Sequence, residues 1–239
     1  MVRSGNVAVF LQARIGSTRL PSKALFDLNG ITAIGRAMIR LKRIKADNYV
    51  VLTDRDSYAI LEKETQKYGF EIMEGPADDV LKRFALAIIK YSPVTFVRAT
   101  GDNPLVFYRQ AQFILSEHIE KNADHSWFTG MPLGAGVEIV KSEKLLEAEK
   151  NASDPYEREH VTPYLYRRPS LYNLNHPEAD ISSTYPEGRI TMDTMNDYLY
   201  LKRIFEIDNI IGTDCLTEST ERVIDWLKKN PHPDSNKKS

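Results

Sequence analysis

Cysteine is nearly absent from this chain. Cys215 is the only one among 239 residues, which excludes a disulfide framework and any cysteine-cluster zinc site. An excess of either charge is missing too: 32 Lys and Arg against 33 Asp and Glu leave a formal net charge of -1, so nucleic acid is not an expected partner. No apolar run reaches the roughly 18 residues of a membrane span, and the run at 7–11 is shorter than a signal-peptide core. The expectation is a soluble, cytoplasmic protein without membrane insertion. Several signatures are lacking as well: no GxGxxG, no Gly-Lys pair of a Walker A loop, no HExxH and no GxSxG. Dinucleotide binding by that fingerprint, P-loop chemistry and nucleophilic hydrolysis therefore find no support.

What is present is a regular alternation. Residues 7–11 (VAVFL) form a continuous apolar run, as in a strand buried on both faces. Ile31, Ile34, Met38 and Leu41 follow at helical spacing. Strand-like runs recur at 49–52, 70–73 and 94–99, separated by helix-like segments at 57–68, from 78 onward, and at 107–121. Repeated β-α pairs imply a mostly parallel sheet with right-handed crossovers and helices on both faces, an α/β fold. Beyond 122 the rhythm loosens. Strands are expected at 137–140 and 189–192, helices at 142–150 and over 155–168 with a break at Pro163, and loops and edge strands over 170–188. Two more helices carry Tyr198, Leu201 and Phe205, then Val223, Ile224 and Leu227. The simplest organisation is a single domain over 1–230 with an inserted subregion at 124–188, and a disordered tail at 231–239.

Three segments carry chemistry. The first is Gln12-Ala13-Arg14-Ile15-Gly16-Ser17-Thr18-Arg19-Leu20-Pro21-Ser22-Lys23, leaving the carboxyl end of the first strand, where open α/β sheets bind ligands. It holds three cations and no anion, with Gly16 for close backbone approach and Ser17 and Thr18 as hydroxyl donors. Backbone amides beside fixed positive charges suit a triphosphate. The second is Gly101-Asp102-Asn103-Pro104 at the end of the fourth strand; the third is Asp193 within Arg189-Ile190-Thr191-Met192-Asp193-Thr194. Each Asp alone reads as a cap or turn residue. Two carboxylates from distant strand ends beside a phosphate loop suit Mg²⁺. Asp54 and Asp56 (TDRD) have the DxD spacing of sugar transferases but stand where a helix needs its cap, the favoured reading. Tyr156-Glu157-Arg158-Glu159-His160 is either a solvated helix face or part of a substrate site, and Arg83 either reaches a base or phosphate or pairs on a helix surface.

Residues 12–23 resemble the A-R-x-x-S-x-R-x-P-x-K signature of the cytidylyltransferases that activate acidic sugars, such as the acylneuraminate and deoxy-octulosonate enzymes. With GDNP at 101–104, GVE at 136–138, REHVTPY at 158–164 and xTxDTxxD at 190–197, the chain is most similar to the SpsF-like, spore-coat polysaccharide branch of that family over about residues 7–205. The resemblance implies a Rossmann-like nucleotidyltransferase fold and transfer of CMP from CTP to an acceptor with release of pyrophosphate, in the synthesis of surface polysaccharide precursors. It places Arg14 and Lys23 on the triphosphate with Ser17 and Arg19 beside them, and Asp102 and Asp193 on Mg²⁺; Gln12, Ala13, Gly16 and Arg83 are further nucleotide-binding candidates. It implies a homodimer, with 124–188 serving both the interface and an acceptor pocket that includes Glu138, Arg158, Glu159 and His160. Arg158, His160, Arg167, Arg168 and Arg189 supply positive charge there, which suits a small anionic acceptor, an acidic sugar or polyol phosphate. Where the sialate enzymes carry a cytosine-contacting Arg before a Pro, this chain has Glu74-Gly75-Pro76, and Ala24 follows Lys23 where Asn is common. A metal-dependent glycosyltransferase using Asp54 and Asp56, and a non-catalytic nucleotide-binding protein, are the competing readings.

Overall fold

The computed structural model describes residues 6–207 and 220–234. In chain order its elements are β1 (Val7–Gln12), α1 (Ala33–Leu41), β2 (Asn48–Thr53), α2 (Arg55–Lys67), β3 (Glu71–Glu74), α3 (Val80–Tyr91), β4 (Thr95–Thr100) and α4 (Tyr108–Glu120). Then follow β5 (His125–Ser126), β6 (Glu138–Lys141), α5 (Ser142–Asn151), α6 (Pro155–His160), α7 (Pro163–Tyr166), β7 (Leu174–Asn175), α8 (Met195–Phe205) and α9 (Thr220–Lys229). The sheet order is β3-β2-β1-β4-β6-β5-β7. β1 lies between β2 and β4, and the first four strands are parallel; β6 runs antiparallel to β4 and β5. This is the mostly parallel α/β sheet expected of the β-α alternation, and it agrees with the Rossmann-like nucleotidyltransferase fold that the resemblance implies.

The period-2 geometry of the strands divides the core. Val9 and Leu11 of β1 pack with Ile34, Met38 and Leu41 of α1 and Ile114 of α4 on one face. Ala8 and Phe10 pack with Leu81, Phe84 and Ile88 of α3 and Leu145 of α5 on the other. A third cluster joins Leu20, Leu105, Ile190 and Met192 to Leu201, Phe205, Val223 and Leu227 of α8 and α9, clamping the segments that leave β1 and β4. Helix starts are fixed by side chains that satisfy orphan amides. Thr32, Asp54, Asp79 and Asp154 accept from backbone N–H groups of α1, α2, α3 and α6, and Thr194 with Asp197 forms a reciprocal capping box on α8.

Two expectations change. Residues 189–192 do not form a sheet strand but an extended segment with a single bridge, Leu133 to Arg189. Gly134 makes this close approach possible: at φ 95° its missing Cβ would stand 2.6 Å from the Thr191 amide nitrogen. The tail expected from 231 is folded as far as it is described, with His232 only 4% exposed against the Tyr200 ring; 235–239, like Cys215, lie outside the described residues.

Candidate functional site

A cavity of about 640 Å³ opens at the carboxyl ends of β1 and β4, within the usual range for small-molecule pockets. One wall is the loop after β1, contributing Gln12, Ala13, Arg14, Ser17, Arg19 and Lys23. Arg98, Thr100, Gly101 and Asp102 come from β4 and its exit, Asp193 from the extended segment, and Glu159 and His160 from the end of α6. Ala77, Asp78, Val80 and Arg83 close the side toward α3. Gly101 is needed where it stands, because a Cβ there would lie 2.9 Å from the Ala13 Cβ.

The two carboxylates named from sequence converge. The main-chain N–H of Met192 donates to the Asp102 carbonyl at 2.8 Å, which fixes Asp193 beside Asp102. Lys23 Nζ sits between them, 2.7 Å from Asp102 Oδ2 and 2.9 Å from Asp193 Oδ1. Arg189 holds the second oxygen of Asp193 at 3.0 Å and is itself held by Asp197 at 2.6 Å. Asp197 also accepts the main-chain N–H groups of Asp193 and Thr194. Burial pushes the Asp193 carboxyl up, but Lys23, Arg19 and Arg189 outweigh it and hold the group below the usual carboxylate range. In the same way burial opposes, and Arg189 and two amides overcome, to bring Asp197 down to about 2.

Arg98 is a wall residue that sequence reasoning missed. It lies in β4 opposite Glu138 of β6, donates to Glu138 at 2.9 Å and reaches the Gln12 side-chain oxygen at 3.2 Å. Glu138 also accepts from the Thr162 hydroxyl at 2.9 Å; it backs the wall instead of forming it. Val161, between His160 and Thr162, has φ 76° and ψ -58°, and the Thr162 amide donates to the His160 carbonyl at 3.0 Å. A β-branched residue in such a tight turn stores about 1–3 kcal/mol of strain. That turn presents His160 to the cavity and Thr162 to Glu138. Further along the sheet, buried His125 meets His176 ring to ring, Nδ1 to Nε2 at 2.8 Å, and burial brings its pKa down to about 4. His118, bonded to Ser126, is brought down to about 3 for the same reason.

Other sequence candidates are committed elsewhere. Arg158 turns away from the cavity to Asp79, donating from Nε at 2.9 Å and from a guanidinium nitrogen at 2.5 Å, so it ties α6 to the cap of α3. Arg167 pairs with Asp154, Arg168 with Glu157, and Arg189 with the two aspartates already described. Arg83 is on the wall, yet its guanidinium donates to the Pro76 and Ala77 carbonyls and shapes that loop from behind. Gly16 is exposed and does not line the cavity, and a Cβ there would meet nothing within 4 Å. Asp54 accepts from the Ser57 amide at 2.8 Å as a cap, and neither it nor Asp56 reaches the cavity. Among the described residues no group of three or more His, Cys, Asp or Glu side chains converges as a metal cluster, and no helix is long and apolar enough to cross a membrane.

A family model described as cytidylyltransferase matches residues 8–229. The spore coat polysaccharide biosynthesis protein SpsF of Bacillus subtilis (strain 168) is 31% identical over 208 residues, covering 84% of this chain and 87% of that protein. Among solved structures, a cytidylyltransferase from Leptospira borgpetersenii serovar Hardjo-bovis (strain JB197) superposes with a TM-score of 0.84 at 27% identity, covering 98% of this chain and 99% of that one. CMP:2-keto-3-deoxy-manno-octonic acid synthetase in complex with CTP superposes with a TM-score of 0.68 at 15% identity over 84% of this chain and 98% of that one, a likeness of fold.

Proposed function

This chain belongs to the cytidylyltransferase family and is a nucleotidyltransferase, and from that premise we propose that it transfers CMP from CTP to an acidic sugar or small polyol phosphate, releasing pyrophosphate, in the synthesis of a surface polysaccharide precursor. The observation that carries this reading is the convergence of Asp102 and Asp193 on one cation beside the basic loop. SpsF, by its name, serves spore coat polysaccharide synthesis, and the octonic acid synthetase binds CTP. In this reading Arg14 and Arg19 meet the triphosphate, with Ser17 beside them, and an acceptor oxygen attacks the α-phosphorus in line. Such chemistry asks for positioning and charge stabilisation, with no covalent intermediate on the protein.

A divalent ion fits the carboxylate pair, because the Lys23 ammonium already stands there as a positive charge held by both oxygens. Asp102 and Asp193 would hold Mg²⁺, which takes one or two carboxylates with phosphate oxygens and water completing its shell. When bound, the ion neutralises phosphate charge at the reacting centre. The acceptor would lie over Glu159 and His160. Since Arg158, Arg167, Arg168 and Arg189 are all ion-paired, its anionic character rests on the relatives more than on free cations of the 124–188 region. The reading includes a homodimer joined through that region, where Leu133, Leu171 and Ile181 are 57%, 69% and 91% exposed; light scattering in solution tests it. Pyrophosphate release from CTP across a panel of acidic sugars, polyol phosphates and neutral sugars tests the activity. Turnover of neutral sugars alone would refute the acceptor class.

A further inference from the structure

The carboxylate pair is built to persist without the group that now joins it. Asp193 is fixed through its second oxygen by Arg189 and through its own main-chain N–H by Asp197. Asp102 is fixed through its carbonyl by Met192. None of these three anchors involves Lys23. Lys23 in turn begins a single 3-10 turn after Ser22, on a four-carbon stem, with a side chain only 13% exposed and its ammonium shared by both carboxylates. Arg19 also reaches Asp193 Oδ1, at 3.2 Å, but it is 66% exposed and that pair is screened by water.

A divalent ion held by Asp102 and Asp193 would draw on the carboxylate lone pairs that now accept from Lys23. Two cations cannot share that point, since they repel at close range in a partly buried site. Resting on the nucleotidyl-transfer reading, we infer that Lys23 is a tethered stand-in cation. It holds the two carboxylates together in the nucleotide-free protein, is displaced when a divalent ion enters, and carries its charge to the phosphates that arrive with the ion. Metal and nucleotide then enter together, because the nucleotide supplies the place for the displaced ammonium. By linkage each raises the affinity for the other.

The test is Mn²⁺ binding, read by electron paramagnetic resonance, in wild type, Lys23→Met and Lys23→Arg, each with and without CTP. Without nucleotide, Lys23→Met should bind Mn²⁺ at least tenfold tighter than wild type, and Lys23→Arg no tighter than wild type. Lys23→Met should also melt lower than wild type without metal and gain more in Tm when Mn²⁺ is added. Lys23→Gln replaces Lys23→Met if the latter does not fold. Equal or weaker Mn²⁺ binding by the uncharged variant overturns the stand-in role, and if CTP still strengthens Mn²⁺ binding the nucleotidyl-transfer reading stands. No Mn²⁺ binding by any variant, even with CTP, overturns both.

Discussion

The amide of Met192 donates to the carbonyl of Asp102 across 2.8 Å, joining positions 90 residues apart in sequence. This bond sets the spacing of the two carboxylates before any ligand arrives. It is made by a segment that belongs to no sheet, and the segment can run there because Gly134 leaves room beside Thr191.

Gly134→Ala should therefore damage the site from a distance. The backbone at φ 95° alone costs an L residue about 1–3 kcal/mol. The contact with the Thr191 amide adds to that and moves the segment carrying Asp193. Urea unfolding should show the loss, and turnover should fall in the fraction that remains folded.

Asp102→Asn and Asp193→Asn keep the shape of each side chain and remove its charge. Each should lower turnover by about 10²–10³, the usual effect of deleting one electrostatic stabiliser of a transition state. Circular dichroism checks the fold and pyrophosphate release the rate. Wild-type turnover in a folded variant removes that residue from the mechanism.

Much of this site was legible in the sequence for physical reasons. The loop after β1 is purely cationic and stands at a strand end, and both Asp102 and Asp193 follow extended segments. Arg98 was hidden because TFVRAT reads as a buried strand; the signal was a lone Arg inside an otherwise apolar run, answered by Glu138 on a strand whose antiparallel pairing local spacing does not reveal. Arg158 misled for the same reason. Its partner Asp79 is 79 residues away, and no local pattern distinguishes a cation facing a cavity from one tied to a helix cap.

Arg98→Met should expose how much the wall depends on that strand arginine. Glu138 would keep the Thr162 hydroxyl but lose its cation, and breaking such a largely buried pair costs about 3 kcal/mol. The double variant Arg98→Met with Glu138→Gln should recover part of this, as measured by denaturant unfolding.

Acid should destabilise the protein through its buried histidines. His125 and His118 have folded pKa values of about 4 and about 3, below the ordinary 6.5. As pH falls, the unfolded chain is protonated first. Their contribution is complete above 6.5 and is lost from there down to about 4 for His125 and about 3 for His118. Each can remove up to about 1.4 kcal/mol per pH unit. Tm measured between pH 7 and 4.5 should fall, and His125→Gln should flatten the slope. An unchanged slope would contradict the assignment.

The most direct test of the central claim needs no acceptor: thermal unfolding with CTP, UTP, GTP, ATP and nucleotide sugars, each with and without Mg²⁺. A ligand at a hundred times its Kd adds about 2.7 kcal/mol, a readily seen rise in Tm. The account predicts a rise with CTP that depends on Mg²⁺ and disappears in Asp193→Asn. A rise with a nucleotide sugar alone, or none with CTP and Mg²⁺, would contradict it.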